Sequence, residues 1–131
     1  MEDYRKDEEM SDRKVMIVDD NKKCLGELEE ILSFSGYNMI AAHDSYSVLP
    51  IAAKEMPHLI LLDLKMPGKS GFQLVHELKS SPELQQIPII AMTESFSDDY
   101  KPFLEMFDIK RCLRKPFNPL DVIMEIKAIL G

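Results

Sequence analysis

The sequence predicts a single α/β domain of the form (βα)5, with five parallel strands in one doubly wound sheet of order 2-1-3-4-5. Two observations lead there. From Lys14 onward, short apolar runs alternate with amphipathic segments, which is the pattern of βα units on a parallel sheet. The run Leu59–Leu62 is apolar at every position, as a central strand buried under two helix layers must be. A chain of 131 residues suits one such domain with a sizeable core, and shares of 45% apolar and 30% charged residues are ordinary for a globular protein.

Val15–Val18, an apolar run bounded by charges, reads as the first strand. Asn21 can cap the helix after it, where Leu25, Leu28 and Leu32 recur on one face and Glu27, Glu29 and Glu30 lie off it. Gly36 stops that helix from the C′ position. Asn38–Ala42 is the second strand. Ser45 or Ser47 opens a second helix reaching Met56, with Pro50 tolerable only in its first turn. Leu59–Leu62 is the third strand. Gly71 precedes a third helix carrying Leu74, Val75 and Leu78, which ends before Pro82. Ile87–Met92 is the fourth strand.

The fourth helix has Tyr100, Phe103, Leu104 and Phe107 at helical spacing, with Asp98 or Asp99 as its cap. Pro102 imposes a late start or a kink there, and Phe103 or Phe107 is expected in the core. Arg111–Arg114 is a short fifth strand. Asn118 and Pro119 then read as N-cap and first residue of a last helix that buries Leu120, Ile123, Ile126 and Leu130. Right-handed crossovers place helices on both faces of the sheet, the flavodoxin-like arrangement.

The domain is expected over residues 13–131. Residues 1–12, six acids against two bases, form a flexible acidic extension. The net charge of −7 comes without a basic patch, which argues against direct nucleic-acid binding. The longest apolar stretches are strand-length, too short to span a bilayer, and the polar N-terminus is no signal peptide. A cytoplasmic protein is expected, with Cys24 and Cys112 reduced and mostly buried.

In a doubly wound sheet, ligands bind beyond the carboxyl ends of the strands, near the switch in strand order. The first strand ends in Asp19 and Asp20, the third in Asp63, the fourth in Thr93 and the fifth in Lys115. The predicted order brings all of these to one rim. Crowded carboxylates repel one another, and a divalent cation relieves the repulsion. All-oxygen ligands without histidine or thiolate favour Mg²⁺ or Mn²⁺ over zinc. Mg²⁺ keeps room for phosphate oxygens, while Lys115 and Thr93 supply a cation and a hydroxyl donor for charge on a transferring phosphoryl group. A carboxylate can itself be the nucleophile and form an aspartyl phosphate. Each element alone is weak; their joint occurrence at four strand ends is not easily accidental.

The segments Val15-Met-Ile-Val-Asp-Asp20, Leu59-Ile-Leu-Leu-Asp-Leu-Lys-Met-Pro-Gly-Lys-Ser-Gly71, Ile87-Pro-Ile-Ile-Ala-Met-Thr93 and Arg114-Lys-Pro-Phe117 resemble the receiver domains of two-component response regulators. The resemblance runs from Lys14 to Leu130, and the spacings from Asp63 to Thr93 to Lys115 fit it. It implies that Asp63 is the phosphoacceptor. Mg²⁺, for which Mn²⁺ can substitute, would be held by Asp20 directly, Asp19 partly through water, Asp63 and the backbone carbonyl of Lys65. Thr93 resembles the switch hydroxyl and Lys115 the phosphate-pairing lysine, with a cis Lys115–Pro116 bond. The implied donor is a phosphohistidine on a sensor histidine kinase or histidine phosphotransfer protein. The implied output is a protein target on the face of the fourth helix, fifth strand and fifth helix. Such a domain is no enzyme in its own right, although it assists its own phosphorylation and dephosphorylation.

Three positions depart from the family pattern. Glu94 stands where Ala or Gly usually follows the switch threonine, and it either screens the site or swings into solvent. Cys112 replaces the usual Tyr or Phe of the fifth strand, which puts the outward relay in question. The Lys65 side chain contacts phosphate, contacts acidic partners or points into water. A receiver-like module that signals by binding alone is the competing function. A haloacid-dehalogenase-type phosphatase would need Asp-x-Asp after the first strand, which Asp19-Asp20-Asn21 does not provide. His43, His58 and His76, on separate elements, form no cluster.

Overall fold

The computed structural model describes residues 12–94 and 100–131. Among them are β1 (Lys14–Val18), α1 (Lys22–Phe34), β2 (Asn38–Ala42), α2 (Val48–Glu55), β3 (Leu59–Asp63), α3 (Gly71–Ser80), β4 (Ile89–Thr93), α4 (Lys101–Met106), β5 (Cys112–Arg114) and α5 (Pro119–Leu130). The strands pair in parallel in the order β2-β1-β3-β4-β5, so the expected doubly wound sheet is the observed one. The readings for the acidic extension up to residue 11 and for an Asp98 or Asp99 cap lie outside the described residues.

Alternation along each strand feeds two separate cores. Met16, Val18, Ile60 and Leu62 face Val48 and Ala52 of α2, Leu74, Val75 and Leu78 of α3, and Leu104 of α4. Val15, Ile17, Leu59, Leu61, Ile90 and Met92 face the other way, onto Leu28 and Leu32 of α1 and Val122 and Ile126 of α5. β3 therefore needs an apolar side chain at every position up to Asp63, and all five of its residues are buried. Each fully buried aliphatic side chain contributes about 1.5–3 kcal/mol, so the two cores anchor the strand ends firmly.

The helix ends follow local chemistry. Asn21 Oδ1 accepts from the backbone N–H groups of Lys23 and Cys24 at 2.9 and 3.1 Å, and Gly36 takes the left-handed conformation just beyond α1. Asn118 Oδ1 accepts from Leu120 N at 2.9 Å, with Pro119 as first residue of α5. Pro50 is the third residue of α2, inside its first turn, and Ser47 is the residue before it starts. Pro102 gives α4 the late start: the helix begins at Lys101.

Several boundaries and faces differ from expectation. β4 starts at Ile89 rather than Ile87, because Pro88 has no N–H to give the ladder, although its carbonyl accepts from Ile60 N at 3.0 Å. β5 begins at Cys112 rather than Arg111. Leu120 is 68% exposed, not buried. The core residues of α5 are Val122 and Ile126, and two residues of helix turn Leu120 about 200° away from Val122. In α4 the buried residue is Leu104, whereas Phe103 and Phe107 are half-buried. Their rings form an aromatic row with Phe72, which meets Phe103 edge-on at 4.3 Å between centroids. Both cysteines are free and half-buried. His58 has a local role, since its Nδ1 accepts from Lys14 N at 3.0 Å where β1 begins.

Candidate functional site

The parallel ladder continues past the strand ends and holds the rim. Asp19 N donates to Ala42 O at 3.1 Å, Leu64 N to Met92 O at 3.1 Å, and Lys115 N to Thr93 O at 2.8 Å. Asp19, Asp63, Thr93 and Lys115 are thereby brought to one edge of the sheet, and all four are buried. Asp20 is exposed at the mouth. The Lys115–Pro116 bond is cis, as expected.

Lys115 organises the centre. Its Nζ donates to Asp19 Oδ2 at 2.6 Å and to Asp63 Oδ2 at 3.1 Å. The remaining carboxylate oxygens take backbone donors: Asn21 N to Asp19 Oδ1 and Lys65 N to Asp63 Oδ1, both at 2.9 Å. Burial works against the Lys115 charge, but the two carboxylates outweigh it and raise its pKa above the ordinary lysine value. Burial raises the Asp63 pKa, and the opposing Lys65 N–H and Lys115 ammonium do not cancel that rise. Asp19, the shorter contact, is the firmer partner of the ammonium.

One carboxylate oxygen from each of Asp19, Asp20 and Asp63 lies within 4.8 Å of the others. Asp20 and Asp63 edge a cavity of about 250 Å³ with Asn21, Lys65, Glu94 and Lys115. Hard oxygen donors, one of them open to water, suit a small divalent cation that retains part of its hydration shell, so the donor set fits Mg²⁺.

The loop after Asp63 is closed by a tight approach of α3. Gly71 N donates to Leu64 O at 3.3 Å, and a Cβ on Gly71 would lie 2.6 Å from Leu64 Cα. Glycine is required there by contact with backbone, not by helix chemistry. Of the departing positions, Glu94 is exposed and also lines the larger cleft beside α5, while Cys112 is half-buried against the α2–α4 core. Lys65 is exposed, with its amide turned to Asp63. Sequence reasoning missed Ser45 as anything other than a helix opener. It is 1% exposed, and its hydroxyl joins the β2–α2 loop to the loop after β3. No local pattern signals it, because both partners are distant in sequence.

A five-stranded sheet in this order with acids, hydroxyl and lysine at its carboxyl edge defines a signalling receiver. The family model described as the response regulator receiver domain matches residues 15–127, and the chain belongs to that family. It is 30% identical over 119 residues to the polar-differentiation response regulator DivK of Brucella anthropi, covering 91% of this chain and 97% of that one. It is 32% identical to the transcriptional regulatory protein CpxR of Klebsiella pneumoniae, covering 89% of this chain but only 49% of that protein. Among solved structures, the Vibrio cholerae chemotaxis protein CheY4 matches with a TM-score of 0.84 and 26% identity, over 89% of this chain and 98% of that one. No helix among the described residues is long and apolar enough to cross a membrane.

Proposed function

We propose that this receiver is a phosphorylation switch in which Asp63 takes a phosphoryl group from a phosphohistidine on a sensor histidine kinase or histidine phosphotransfer protein. The observation that supports it best is the contact of one buried ammonium with both Asp19 and Asp63, beside the Asp20 carboxylate. Asp19, Asp20, Asp63 and the Lys65 carbonyl would hold Mg²⁺, or Mn²⁺ in its place. When bound, the ion neutralises charge on the carboxylates and on the phosphoryl oxygens.

The chain's own residues do the rest. A carboxylate oxygen of Asp63 attacks phosphorus, the P–N bond to the donor histidine breaks, and the imidazole leaves with the electron pair. An acyl phosphate remains on Asp63. Burial disfavours the ionised nucleophile, and the Lys115 ammonium opposes that effect. Sitting 3.1 Å from Asp63 Oδ2, the same ammonium is within reach of any group attached there. Thr93, buried at the end of β4, offers a hydroxyl at the same rim. Water attack on the acyl phosphate restores the carboxylate and releases inorganic phosphate, so the domain resets without being a turnover enzyme.

The output is a protein target on the α4–β5–α5 face, in the cytoplasm where the kinase donor resides. Exposed Met106 on α4, and Met124 of α5 beside Cys112 and Arg114, suit such a face. The test is intact-mass measurement after incubation with acetyl phosphate. With millimolar Mg²⁺ the protein should gain one phosphoryl group, and with EDTA none. No gain in the presence of Mg²⁺ would leave the binding-only module as the reading.

A further inference from the structure

The β2–α2 loop is a rigid block on the far side of the loop that follows Asp63. Asp44 Oδ1 accepts from Tyr46 N and Ser47 N at 3.0 and 2.9 Å, and Ser47 Oγ donates back to Asp44 O at 3.0 Å. That box presents Ser45 inward, where it is 1% exposed. Its hydroxyl donates to Pro67 O at 3.1 Å and accepts from Lys69 N at 2.8 Å, so one oxygen spans the turn at Gly68. A Cβ on Gly68 would lie 2.5 Å from Ser45 Oγ and 2.9 Å from the Tyr46 ring, so the turn is seated against this block with no room to spare. Lys69 is fixed further by Glu77 at 3.0 Å, and its Nζ lies 5.6 Å from the Tyr46 ring centroid.

The segment Leu64–Lys69 is thus held at both ends. β3, the Leu64 ladder bond and the Gly71 contact hold its start; Ser45 holds its finish. Lys65, whose carbonyl is assigned to Mg²⁺, lies between. We infer that Ser45 is a positioning residue: its buried hydroxyl clasps the Pro67–Lys69 turn and so sets the Lys65 carbonyl for Mg²⁺. The inference rests on the proposed metal site and goes beyond it, since Ser45 touches neither the metal nor Asp63.

Mg²⁺ demands near-ideal octahedral geometry, whereas Ca²⁺ accepts irregular and more numerous oxygen ligands. A displaced carbonyl therefore penalises Mg²⁺ more than Ca²⁺. Ser45→Ala should weaken Mg²⁺ binding roughly three- to tenfold, the fold-change matching the net worth of one hydrogen bond. Ca²⁺ binding should change less than about twofold by the same geometric argument. Ser45→Gly, which removes the same hydroxyl, should behave alike. Hydrogen exchange at Lys65, Met66 and Lys69 should quicken in the metal-free variants, while exchange in β1 and β3 stays unchanged.

A merely structural serine would lower global stability and leave the Mg²⁺ to Ca²⁺ affinity ratio of the folded protein intact. That result, from calorimetric titration of wild type and both variants, overturns the inference while leaving the metal site standing. If the wild type itself binds no Mg²⁺, the metal-site reading falls and takes this inference with it.

Discussion

Gly71→Ala probes the loop behind the acceptor through one methyl group. The added Cβ would meet Leu64 Cα at 2.6 Å, its carbonyl oxygen at 2.8 Å and its carbonyl carbon at 3.1 Å. Carbon pairs are most favourable at about 3.5–4.0 Å, so the Leu64 backbone or α3 has to retreat by roughly 0.5–1 Å. The obstacle is backbone and cannot rotate aside. Forced overpacking of this kind costs about 1–3 kcal/mol. Helix propensity alone predicts the opposite sign, since Ala is favoured over Gly by about 1 kcal/mol in a helix interior. The steric cost should win, because Gly71 is the first residue of α3 and gains only part of that propensity. Urea denaturation should show a net loss of about 1–2 kcal/mol with an unchanged m-value. The retreat also pulls on Leu64, between Asp63 and Lys65, so Mg²⁺ affinity should fall with stability. A variant as stable as wild type, or more so, would refute the close-approach argument.

Lys115→Met leaves Asp19 and Asp63 buried without their ammonium, and in EDTA it should cost about 3–5 kcal/mol by denaturant titration. Mg²⁺ at a hundredfold excess over its dissociation constant should return about 2.7 kcal/mol, making the variant conspicuously metal-dependent. Asp63→Asn should stabilise the metal-free protein at neutral pH. Its pKa in the fold is raised above 3.8, so ionising Asp63 costs stability, and that cost grows as pH climbs from 3.8 through the raised value. The advantage of Asn over wild type in melting temperature should therefore vanish below that window. Tyr37 Oη is buried with no hydrogen-bond partner among the described residues, so Tyr37→Phe should leave stability unchanged or raise it by up to about 1 kcal/mol on thermal melting.

The sheet and its rim were legible because both are written in short range. Apolar runs end directly in Asp19, Asp63 and Thr93, Lys115 follows the short fifth strand, and the strand order alone brings those ends together. Caps such as Asn21 and Asn118 were equally local. What escaped depends on rotation and distance. The inward face of α5 is set by where Asn118 starts the helix, so Leu120 turned outward although it is as apolar as Val122. In α4, Leu104 took the buried place and left Phe103 half-buried between Phe72 and Phe107, which no single-helix pattern distinguishes. Ser45 and Gly71 acquire their roles from Pro67, Lys69 and Leu64, contacts that exist only after the loops are folded together. Glu94, by contrast, was conspicuous in the sequence and is an exposed residue lining the cavity beside Asp63.

The central claim is that Asp63, and no other carboxylate in the acidic cluster, carries the phosphoryl group. Borohydride reduces an acyl phosphate to the alcohol, converting the modified aspartate to homoserine. Treating the phosphorylated protein in this way and sequencing its peptides by mass spectrometry should place homoserine at position 63, with Asp19 and Asp20 intact. Conversion at Asp19 or Asp20 instead, or undiminished phosphorylation of Asp63→Asn, would contradict the account.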